Sequence, residues 1–419
     1  MIIKNGLVTD PANGIEKITN IIIKNGKIAE MTDSCDFDDE EIIDATGCVV
    51  APGLVDVHVH FRDPGFTYKE DIYTGAKAAL KGGFTSVVLM ANTKPAVDNE
   101  ETLKYVIEKG KETSLKVYTC ATVTKNMAGA ELTDMDSLLE NGAVGFTDDG
   151  IPIMDEKLME SAMENAARLG VPISLHEEDP SLITNNGVNR GKASEHFNIG
   201  GSPREAEISL IERDLEIALK TGAVLNIQHI STKEGVELVR QAKKRGDNIH
   251  AEATPHHFTL TEDAVIEYGT LAKMNPPLRE EADRLAVIEG LKDGTIDIIA
   301  TDHAPHSEEE KQKDITAAPS GIIGLETALS LGITKLVDTN EIPLSDFIAK
   351  LTVNPAKMYG LEAGTLSVGA PADIVIFDKD AAQKVESYES KSHNSPFTGW
   401  ELKGVVKYTI TDGKVVYKK

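Results

Sequence analysis

The stretch VDVHVHF, residues 55–61, carries the pattern from which the fold and the site both follow. Its residues alternate as on a β-strand, so that Asp56, His58 and His60 share one face and three valines share the other. A buried strand has little reason to carry two imidazoles on one face, whereas two nitrogens that point the same way suit a transition metal. For this pair alone, two hydrogen-bonded core histidines are the alternative.

Short apolar strands alternate with amphipathic helices on both sides of this stretch, over residues 51–359. Examples are SVVLMAN (86–92) before ETLKYVIEKGKE (101–112), and AVLNIQH (223–229) before KEGVELVRQAKKRG (233–246). Such alternation predicts a parallel sheet. A unit of about 300 residues favours a (β/α)₈ TIM-like barrel over an open doubly wound sheet. No GxGxxG or P-loop motif opens a helix, which weakens a nucleotide-binding alternative.

Both ends of the chain contain short strands and turn signals. Asn5-Gly6, Asn25-Gly26 and Asp412-Gly413 each follow an apolar run, which is the strongest short-range hairpin signal. Each end alone would bury too little apolar surface to be stable. The sequence therefore predicts an α/β protein with two domains. Their expected ranges are 1–50 plus 360–419 for a small β-sandwich built from both termini, and 51–359 for the barrel.

Composition limits the classes of partner. The 419 residues include 43 Lys and Arg against 68 Asp and Glu, a formal charge of −25. This acidity argues against a nucleic-acid or anionic-membrane partner, because no basic segment could follow a phosphate backbone. It also means that an anionic substrate has to be met by a specific local cation.

The three cysteines, Cys35, Cys48 and Cys120, are widely spaced and form no metal-binding pair. Their odd number argues against a disulfide framework and indicates a reducing compartment. The start of the chain has no signal-peptide pattern, and no apolar run reaches the roughly 18 residues that a membrane span needs. We therefore expect a cytoplasmic protein without a membrane partner.

Histidine and aspartate close several of the other predicted strands. Asp148 and Asp149 end GAVGFTDD, and His176, His229 and Asp302 end VPISLH, VLNIQH and DIIATD. In a barrel the carboxyl ends of all strands open on one face, so these side chains should meet the two histidines of the first strand. Nitrogen and oxygen ligands without thiolate suit Zn²⁺, Co²⁺ or Mn²⁺. Six ligands exceed the need of one ion and suit two, roughly 3.5–4 Å apart.

A set of short motifs occurs along the chain in the following order: VDVHVHFRDPG, MANTKP, FTDDG, HEED, QHIST, EATPHHF, MNPPLR, TDHAPH, GIIGLET and NPAKMYGL. Together they resemble the amidohydrolase superfamily and, within it, the type I dihydroorotases, which interconvert carbamoyl-aspartate and dihydroorotate in pyrimidine synthesis. The resemblance runs over nearly the whole chain and includes APGLVD and GAPADIVIF at the domain junctions. The HxH pair alone is a weak signal, whereas the ordered set is very specific.

The resemblance implies a metal centre with two zinc ions per subunit, with one ion as the alternative. One ion would be held by His58, His60 and Asp302, and the other by His176 and His229. Asp149, rather than Asp148, would bridge them where many relatives use a carboxylated lysine. No lysine lies between Glu140 and Lys157, which separates the chain from hydantoinase-like and allantoinase-like relatives.

The same resemblance implies the mechanism of a dihydroorotase. A hydroxide that bridges the metal ions would attack the ring amide carbon of dihydroorotate, because metal binding lowers the pKa of water toward about 7. Asp302 would take the hydroxide proton and pass it to the leaving nitrogen as general base and acid. Ring closure is the same path reversed. A role for Asp302 as a ligand alone is the alternative.

Substrate contacts follow partly from charge and partly from the resemblance. Arg62, two residues past His60, can bind the substrate carboxylate through two parallel hydrogen bonds, with a rim salt bridge as the alternative. The resemblance implies further contacts with the substrate, from His60, Asn92, Asn275, His306 and the backbone at Ser320 and Gly321. The chain departs from the family at Ala91, where proline is frequent, and at Ser320, where phenylalanine is frequent.

Several polar residues remain open between two roles. His250, Glu252, Thr254, His256 and His257 either orient metal-binding histidines or are satisfied polar groups of the barrel. His303 is expected to point away from the site, and His196 and His393 to be structural or at the surface. The polar stretch 307–318 is expected to be a loop whose charges are solvated.

The resemblance also implies a homodimer and leaves an association with aspartate transcarbamoylase open. Two rival functions are another cyclic-amide hydrolase of the superfamily, which would carry a bridging lysine, and a catalytically inactive scaffold. An inactive copy would be free to lose ligands, and all six expected groups are present.

Overall fold

The computed structural model describes residues 1–34 and 41–419 of the chain, so Cys35 lies outside the described residues. Within those ranges, Cys48 and Cys120 form no disulfide. The N-terminal strands are β1 (Ile2–Asp10), β2 (Ile15–Lys24), β3 (Lys27–Thr32), β4 (Ile42–Asp44) and β5 (Val49–Pro52).

Seven parallel strands follow and build the barrel. They are β6 (Leu54–Val59), β7 (Phe84–Leu89), β8 (Lys116–Thr119), β9 (Ile173–Leu175), β10 (Leu225–Ile227), β11 (Ile249–Ala253) and β12 (Ile298–Ile299). Phe146 takes the eighth position, because it forms parallel bridges to Ala121 on one side and Ile173 on the other. A further parallel bridge between Val59 and His303 joins the last strand to the first. The predicted (β/α)₈ barrel is thereby confirmed.

The helices lie between the barrel strands and after them. They are α1 (Ile72–Lys81), α2 (Glu100–Lys111), α3 (Met135–Glu140), α4 (Glu156–Leu169), α5 (Lys192–Phe197), α6 (Arg204–Thr221), α7 (Lys233–Lys243), α8 (Pro255–Thr259), α9 (Asp263–Tyr268), α10 (Glu281–Asp293), α11 (Glu308–Lys311), α12 (Ala328–Gly332), α13 (Leu344–Lys350) and α14 (Val353–Met358). Asp71, Asn99 and Asp155 accept hydrogen bonds from first-turn amides of α1, α2 and α4, which is why those helices begin there. Throughout the described ranges, every helix is too short or too polar to cross a bilayer.

The chain ends in three strands, β13 (Ile374–Lys384), β14 (Glu401–Thr411) and β15 (Lys414–Lys418). They join the N-terminal strands in one eight-stranded sheet of order β15-β14-β13-β5-β1-β2-β3, with β4 paired to β1. Ile28 of β3 and Ile410 of β14 belong to one buried apolar cluster although their strands are distant in the sheet. The sheet therefore curls around that cluster, and both termini contribute to one β-rich unit. The exact domain boundaries stay a prediction.

Two of the three predicted hairpin turns form. Asn25 and Gly26 both have positive φ, at 52° and 75°, and connect β2 to β3 as a two-residue loop. The Asp412-Gly413 pair connects β14 to β15 in the same way. The prediction at Asn5-Gly6 was wrong, because the pair lies inside β1 at a register irregularity. A Cβ on Gly6 would lie 2.4 Å from Val50 Cγ2, so the glycine serves a close strand contact instead.

The expected solvated loop at residues 307–318 is partly wrong. The segment contains helix α11, whose first turn is capped by Ser307 and Glu310. The side chain of Lys311 at its end is buried rather than solvated.

Candidate active site

Four histidines and two aspartates meet where the barrel strands end. His58 lies in β6 and His60 directly after it, and the others follow Phe146, β9, β10 and β12: Asp149, His176, His229 and Asp302. All six side chains are buried. The structure thus brings these distant positions together, and their roles stay a prediction.

Three overlapping groups within this cluster could each hold a metal ion, because their ligand atoms lie within 4.8 Å of one another. The groups are His58, His60 and Asp149; His58, His229 and Asp302; and Asp149, His176 and His229. Asp149 belongs to two of these groups, one with His58 and His60 and the other with His176 and His229. That position is the one that a carboxylate bridge between two ions requires.

Both carboxylates face the histidines of the first strand. His60 Nε2 lies 3.0 Å from Asp302 Oδ1 and 3.4 Å from Asp149 Oδ2. His58 Nε2 lies 3.4 Å from Asp302 Oδ1 and 3.6 Å from Asp149 Oδ1. On the other side, His176 Nδ1 lies 2.9 Å from His229 Nε2 and 4.0 Å from Asp149 Oδ1.

An acceptor outside the cluster fixes the tautomer of each of three histidines. His58 Nδ1 donates to Glu252 Oε2 over 3.0 Å, and His176 Nε2 lies 3.2 Å from Glu178 Oε2. Because a carboxylate oxygen only accepts hydrogen bonds, such a contact places a histidine proton on the outer nitrogen and leaves the inner nitrogen to face the cluster.

His60 is oriented by an amide instead of a carboxylate. Its Nδ1 donates to Asn92 Oδ1 over 3.0 Å, while Asn92 Nδ2 donates to Asp149 Oδ2 over 2.9 Å. The one amide thus fixes both a histidine and the shared aspartate.

These side chains fit a divalent cation. Inward lone pairs and carboxylate oxygens repel one another unless a positive charge lies among them. His58 Nε2 and His229 Nδ1 are buried without a hydrogen-bond partner among the described residues. The donors are nitrogen and oxygen without thiolate, the set that zinc and related ions accept in catalytic sites.

The pKa shifts of the cluster residues also indicate that a positive charge would be stabilised among them. Burial favours neutral His58, but Asp302 and Asp149 outweigh it and raise the pKa of His58 well above its usual value. Burial likewise favours neutral Asp149, but His58 and His60 outweigh it and lower the pKa of Asp149. Burial and the neighbouring His176 lower the pKa of His229 well below its usual value. The Asp149 carboxylate therefore stays ionised and attracts cations.

Two residues of the cluster have an uncommon backbone conformation. His229 has φ 32° and Asp302 has φ 45°, in the left-handed region that residues with a Cβ rarely adopt. Such strain costs on the order of 1–3 kcal/mol per residue and concentrates at functional sites. The chain turns at these points just after β10 and β12.

A cavity of about 200 Å³ opens beside the cluster. Its walls include six residues predicted to contact the substrate: His60, Arg62, Asn92, Asn275, His306 and Ser320. Gly150, Met274 and Ala304 also line it, and sequence reasoning missed them. Asn275 Oδ1 and Ser320 Oγ are buried without a hydrogen-bond partner in the described part of the chain. These two atoms are available to a ligand.

Gly321 follows Ser320, which lines the cavity, and has no room for a side chain. A Cβ there would come within 2.6 Å of the Ala304 carbonyl oxygen and 2.7 Å of His306 Cδ2. Its φ of 151° also disfavours a larger residue.

The guanidinium of Arg62 lines the cavity without an acidic partner. Its Nε donates to the Pro305 carbonyl over 3.3 Å, and its terminal nitrogen lies 3.4 Å from His306 Nε2. In the ranges that the structure describes, no carboxylate oxygen comes within the 4.0 Å of an ion pair with it. Burial lowers the pKa of Arg62, although Asp302 and Asp149 oppose that shift. Arg62 is therefore a cation available to an anionic ligand.

The structure separates neighbouring candidates. Asp148 turns away from the cluster and accepts from the Val123 and Thr124 amides, the first over 2.8 Å. His303 faces Glu70 at 3.4 Å, as expected for a residue that points away. Only Asp149 of the aspartate pair lies among the histidines.

The open set of polar residues divides as well. Glu252 orients His58, whereas His257 bonds Thr254 Oγ1 at 2.7 Å and the Pro276 carbonyl at 3.0 Å. His250 pairs with Asp297 at 2.6 Å, away from the cluster. Of the remaining three histidines, His256 is buried, and His196 and His393 are exposed.

Two positioning residues were missed by sequence reasoning. Glu178 follows His176 by two positions in the motif HEED, and Asn226 is a lone amide in the apolar strand β10. Asn226 Nδ2 donates to Glu252 Oε1 over 2.5 Å and to Ser174 Oγ over 3.1 Å. A polar residue within an otherwise apolar barrel strand was the available signal for Asn226.

A barrel whose strand ends carry a mixed histidine and aspartate cluster defines a class, the metal-dependent hydrolases. Comparison with known proteins narrows that class. The model of the amidohydrolase family matches residues 49–416. The dihydroorotase of Clostridioides difficile is 55% identical over 418 residues, covering 100% of this chain and 99% of the relative. The dihydroorotase of Streptococcus pneumoniae is 52% identical over 420 residues, covering 100% of both chains.

Solved structures agree on the fold. The L-hydantoinase (dihydropyrimidinase) of Arthrobacter aurescens superposes with a TM-score of 0.90 at 27% identity, covering 100% of this chain and 96% of that one. The D-hydantoinase (dihydropyrimidinase) of Thermus sp. gives 0.87 at 25% identity, covering 100% and 95%. The chain belongs to the amidohydrolase family, as a metal-dependent cyclic amide hydrolase of the dihydroorotase group.

Proposed function

We propose that this protein interconverts dihydroorotate and N-carbamoyl-L-aspartate in the synthesis of pyrimidines. The observation that carries the proposal is one cavity lined both by five of the six cluster residues, all but His58, and by Arg62, which has no acidic partner in the described ranges. The cluster suits amide hydrolysis, and the free guanidinium suits a substrate with a carboxylate. The relatives named above support this choice, because they carry the dihydroorotase name at 52–55% identity.

We propose zinc as the metal and two ions per subunit, with one ion as the alternative. His58, His60 and Asp302 would hold one ion, His176 and His229 the other, and Asp149 would contact both. When bound, such ions make water more acidic and polarise a substrate carbonyl.

Asp302 is the proposed general base and acid. Its Oδ1 lies 3.0 Å from His60 Nε2 at the edge of the cavity, so it can reach both the attacking water and the leaving nitrogen. In the hydrolytic direction the water oxygen bonds to the ring amide carbon, and Asp302 accepts a water proton. The carbon–nitrogen bond then breaks, and Asp302 returns that proton to the leaving nitrogen. Ring closure reverses each step.

Arg62 is the proposed clamp for the substrate carboxylate, with Asn275, His306 and the Ser320–Gly321 backbone around the ring. Asn92 was also predicted to contact the substrate, but its amide already bonds His60 and Asp149. We therefore propose for Asn92 chiefly the orientation of those two side chains.

A hydantoinase-like activity is the rival within the family. Asp149 occupies the position where such relatives would carry a bridging lysine, and Arg62 would have no anion to bind in a neutral ring. The test is hydrolysis of dihydroorotate, dihydrouracil and hydantoin by the zinc-loaded protein, with zinc content measured on the same sample. Dihydroorotate should be strongly preferred. Equal or better turnover of the neutral rings would contradict the proposal.

A homodimer, an association with aspartate transcarbamoylase and a cytoplasmic location remain part of this proposal. Sedimentation of the purified chain, alone and mixed with the transcarbamoylase, tests the first two. A monomer mass for the chain alone would refute the homodimer, and unchanged sedimentation of both proteins in the mixture would refute the association.

A further inference from the structure

Residues 318–321 form a segment, here called the wall, whose Ser320 lines the cavity, and side chains hold this segment through its main chain. Its four consecutive main-chain carbonyls each accept a hydrogen bond from a side chain. The donors are Lys273 for Ala318, Lys311 for Pro319, His306 for Ser320, and both Lys311 and Asn394 for Gly321. No regular strand or helix covers this segment.

The two lysines reach the wall from different segments of the chain. Lys311 Nζ, at the end of α11, lies 2.9 Å from the Pro319 carbonyl and 3.1 Å from that of Gly321. Lys273 Nζ lies 2.7 Å from the Ala318 carbonyl, and the Lys273 carbonyl accepts from the Gly321 amide over 2.9 Å. Lys273 also directly precedes Met274 and Asn275, which line the cavity. One residue thus ties two walls of the same cavity together.

Asn394 adds a third tie, from the segment before β14. Its Nδ2 donates to the Ala304 carbonyl over 2.9 Å and to the Gly321 carbonyl over 3.0 Å. Its Oδ1 accepts from the His306 amide over 3.0 Å. The buried amide therefore fixes the loop that carries His306 against the wall that carries Ser320.

The energetics argue for a purpose beyond stability. Lys273 and Lys311 are 2% and 5% exposed, and in the described ranges no carboxylate oxygen lies within 4.0 Å of either ammonium. Burying an amine without a counter-ion is costly. A loop anchored only for stability would be served by apolar packing. The cost of two buried amines is understandable if function requires the backbone atoms of residues 318–321 to be held in place.

We propose that Lys273, Lys311 and Asn394 are positioning residues for substrate recognition, which fix the Ser320–Gly321 wall against the ring of the substrate. They act on that wall and not on the metal cluster. This inference rests on the proposed function, because it takes the cavity to be the site of the dihydroorotate ring.

The test compares three variants of the metal-loaded full chain with the parent: Lys311→Met, Asn394→Ala and Lys311→Arg. Lys313→Met is the matched control, since Lys313 lies in the same loop and is exposed. For each protein, kcat and KM for dihydroorotate, zinc content and thermal midpoint are measured.

Lys311→Met and Asn394→Ala should each raise the KM for dihydroorotate about tenfold, because each variant loses the buried hydrogen bonds of one side chain. We expect kcat to change much less. Zinc content should stay at the parent value, Lys311→Arg should recover part of the KM, and the control should match the parent. The split between KM and kcat separates positioning from a general loss of fold.

Unchanged KM in both Lys311→Met and Asn394→Ala would overturn the inference, and so would a parallel loss of zinc and kcat. Should Lys311→Met fail to fold, Asn394→Ala and Lys273→Met decide by the same criteria. If the parent itself does not turn over dihydroorotate, the proposed function fails, and the positioning role is then decided by the same KM comparison on whichever cyclic amide the parent hydrolyses.

Discussion

Glu252 accepts a hydrogen bond from Nδ1 of His58 across 3.0 Å, and both side chains are fully buried. The carboxylate comes from β11 and the imidazole from β6, 194 residues apart. A carboxylate behind a ligand histidine fixes its tautomer and makes its inner nitrogen a stronger ligand. Glu252 should therefore set metal affinity although it does not face the cavity.

Glu252→Gln should weaken zinc binding by about 10–100-fold, the usual effect of losing such a partner. Competition of the variant with a chelator of known affinity measures this directly. Asp297→Asn is the matched control, because Asp297 bonds His250 away from the cluster. Equal zinc affinity in Glu252→Gln and the parent would show that the contact has no role in the metal site.

Asp302→Asn should lower kcat by about 10²–10⁴-fold, the range typical for loss of a general base and acid. The amide is the same size and cannot accept the proton. Circular dichroism and thermal midpoint should remain close to the parent. Because Asp302 also belongs to the metal cluster, zinc content is measured beside kcat. Turnover near the parent value would contradict the proposed mechanism.

The aspartate pair offers an internal comparison. Asp149→Ala should lose zinc and activity, because Asp149 lies within one candidate metal group with His58 and His60 and within another with His176 and His229. Asp148→Asn should keep zinc, because Asp148 bonds the Thr124 side chain and nearby amides instead. Zinc analysis after dialysis distinguishes them, and the opposite ranking would mean that Asp148 is the ligand.

Arg62→Met should raise the KM for dihydroorotate by about 10–100-fold, since a hydrogen bond to a charged group contributes about 1.5–3 kcal/mol. Any slow turnover of dihydrouracil, which lacks the carboxylate, should change little. The ratio of the two specificity constants is the measurement. A similar loss for both substrates would assign Arg62 to the structure of the cavity and not to the carboxylate.

The burial of Lys311 should make the unfolding free energy of the protein depend on pH. Burial, assisted by Lys273, lowers the pKa of Lys311 to about 7. Between that value and about 10.4 the unfolded chain binds a proton that the folded chain does not, so unfolding free energy rises with pH across this window. The slope reaches at most about 1.4 kcal/mol per pH unit. Urea unfolding of the parent, compared with Lys311→Met at pH 7 and pH 9.5, should show this relative gain, and parallel curves would exclude it.

The sequence by itself predicted the architecture and the side chains that the structure brings together at the barrel strand ends. Strand–helix alternation over residues 51–359 has one economical solution, a closed parallel barrel, and the barrel brings all carboxyl ends of strands together. The proximity of histidine and aspartate at those ends could therefore be predicted without coordinates, whereas their roles as metal ligands stay a prediction. The turns at Asn25-Gly26 and Asp412-Gly413 were readable for the same reason, because backbone preference is local to a dipeptide.

The tertiary structure alone decided which groups orient the site. Alternation could place Glu252 on a face of its strand but could not tell whether that face meets His58, and the hairpin signal at Asn5-Gly6 turned out to mark a bulge. Asn394 lies 73 residues from Gly321 in sequence, and their hydrogen bond forms because the connection between β13 and β14 packs against the segment that contains Gly321. Hydrogen-bond partners between distant segments depend on how whole elements pack, and no local period of the sequence records that packing.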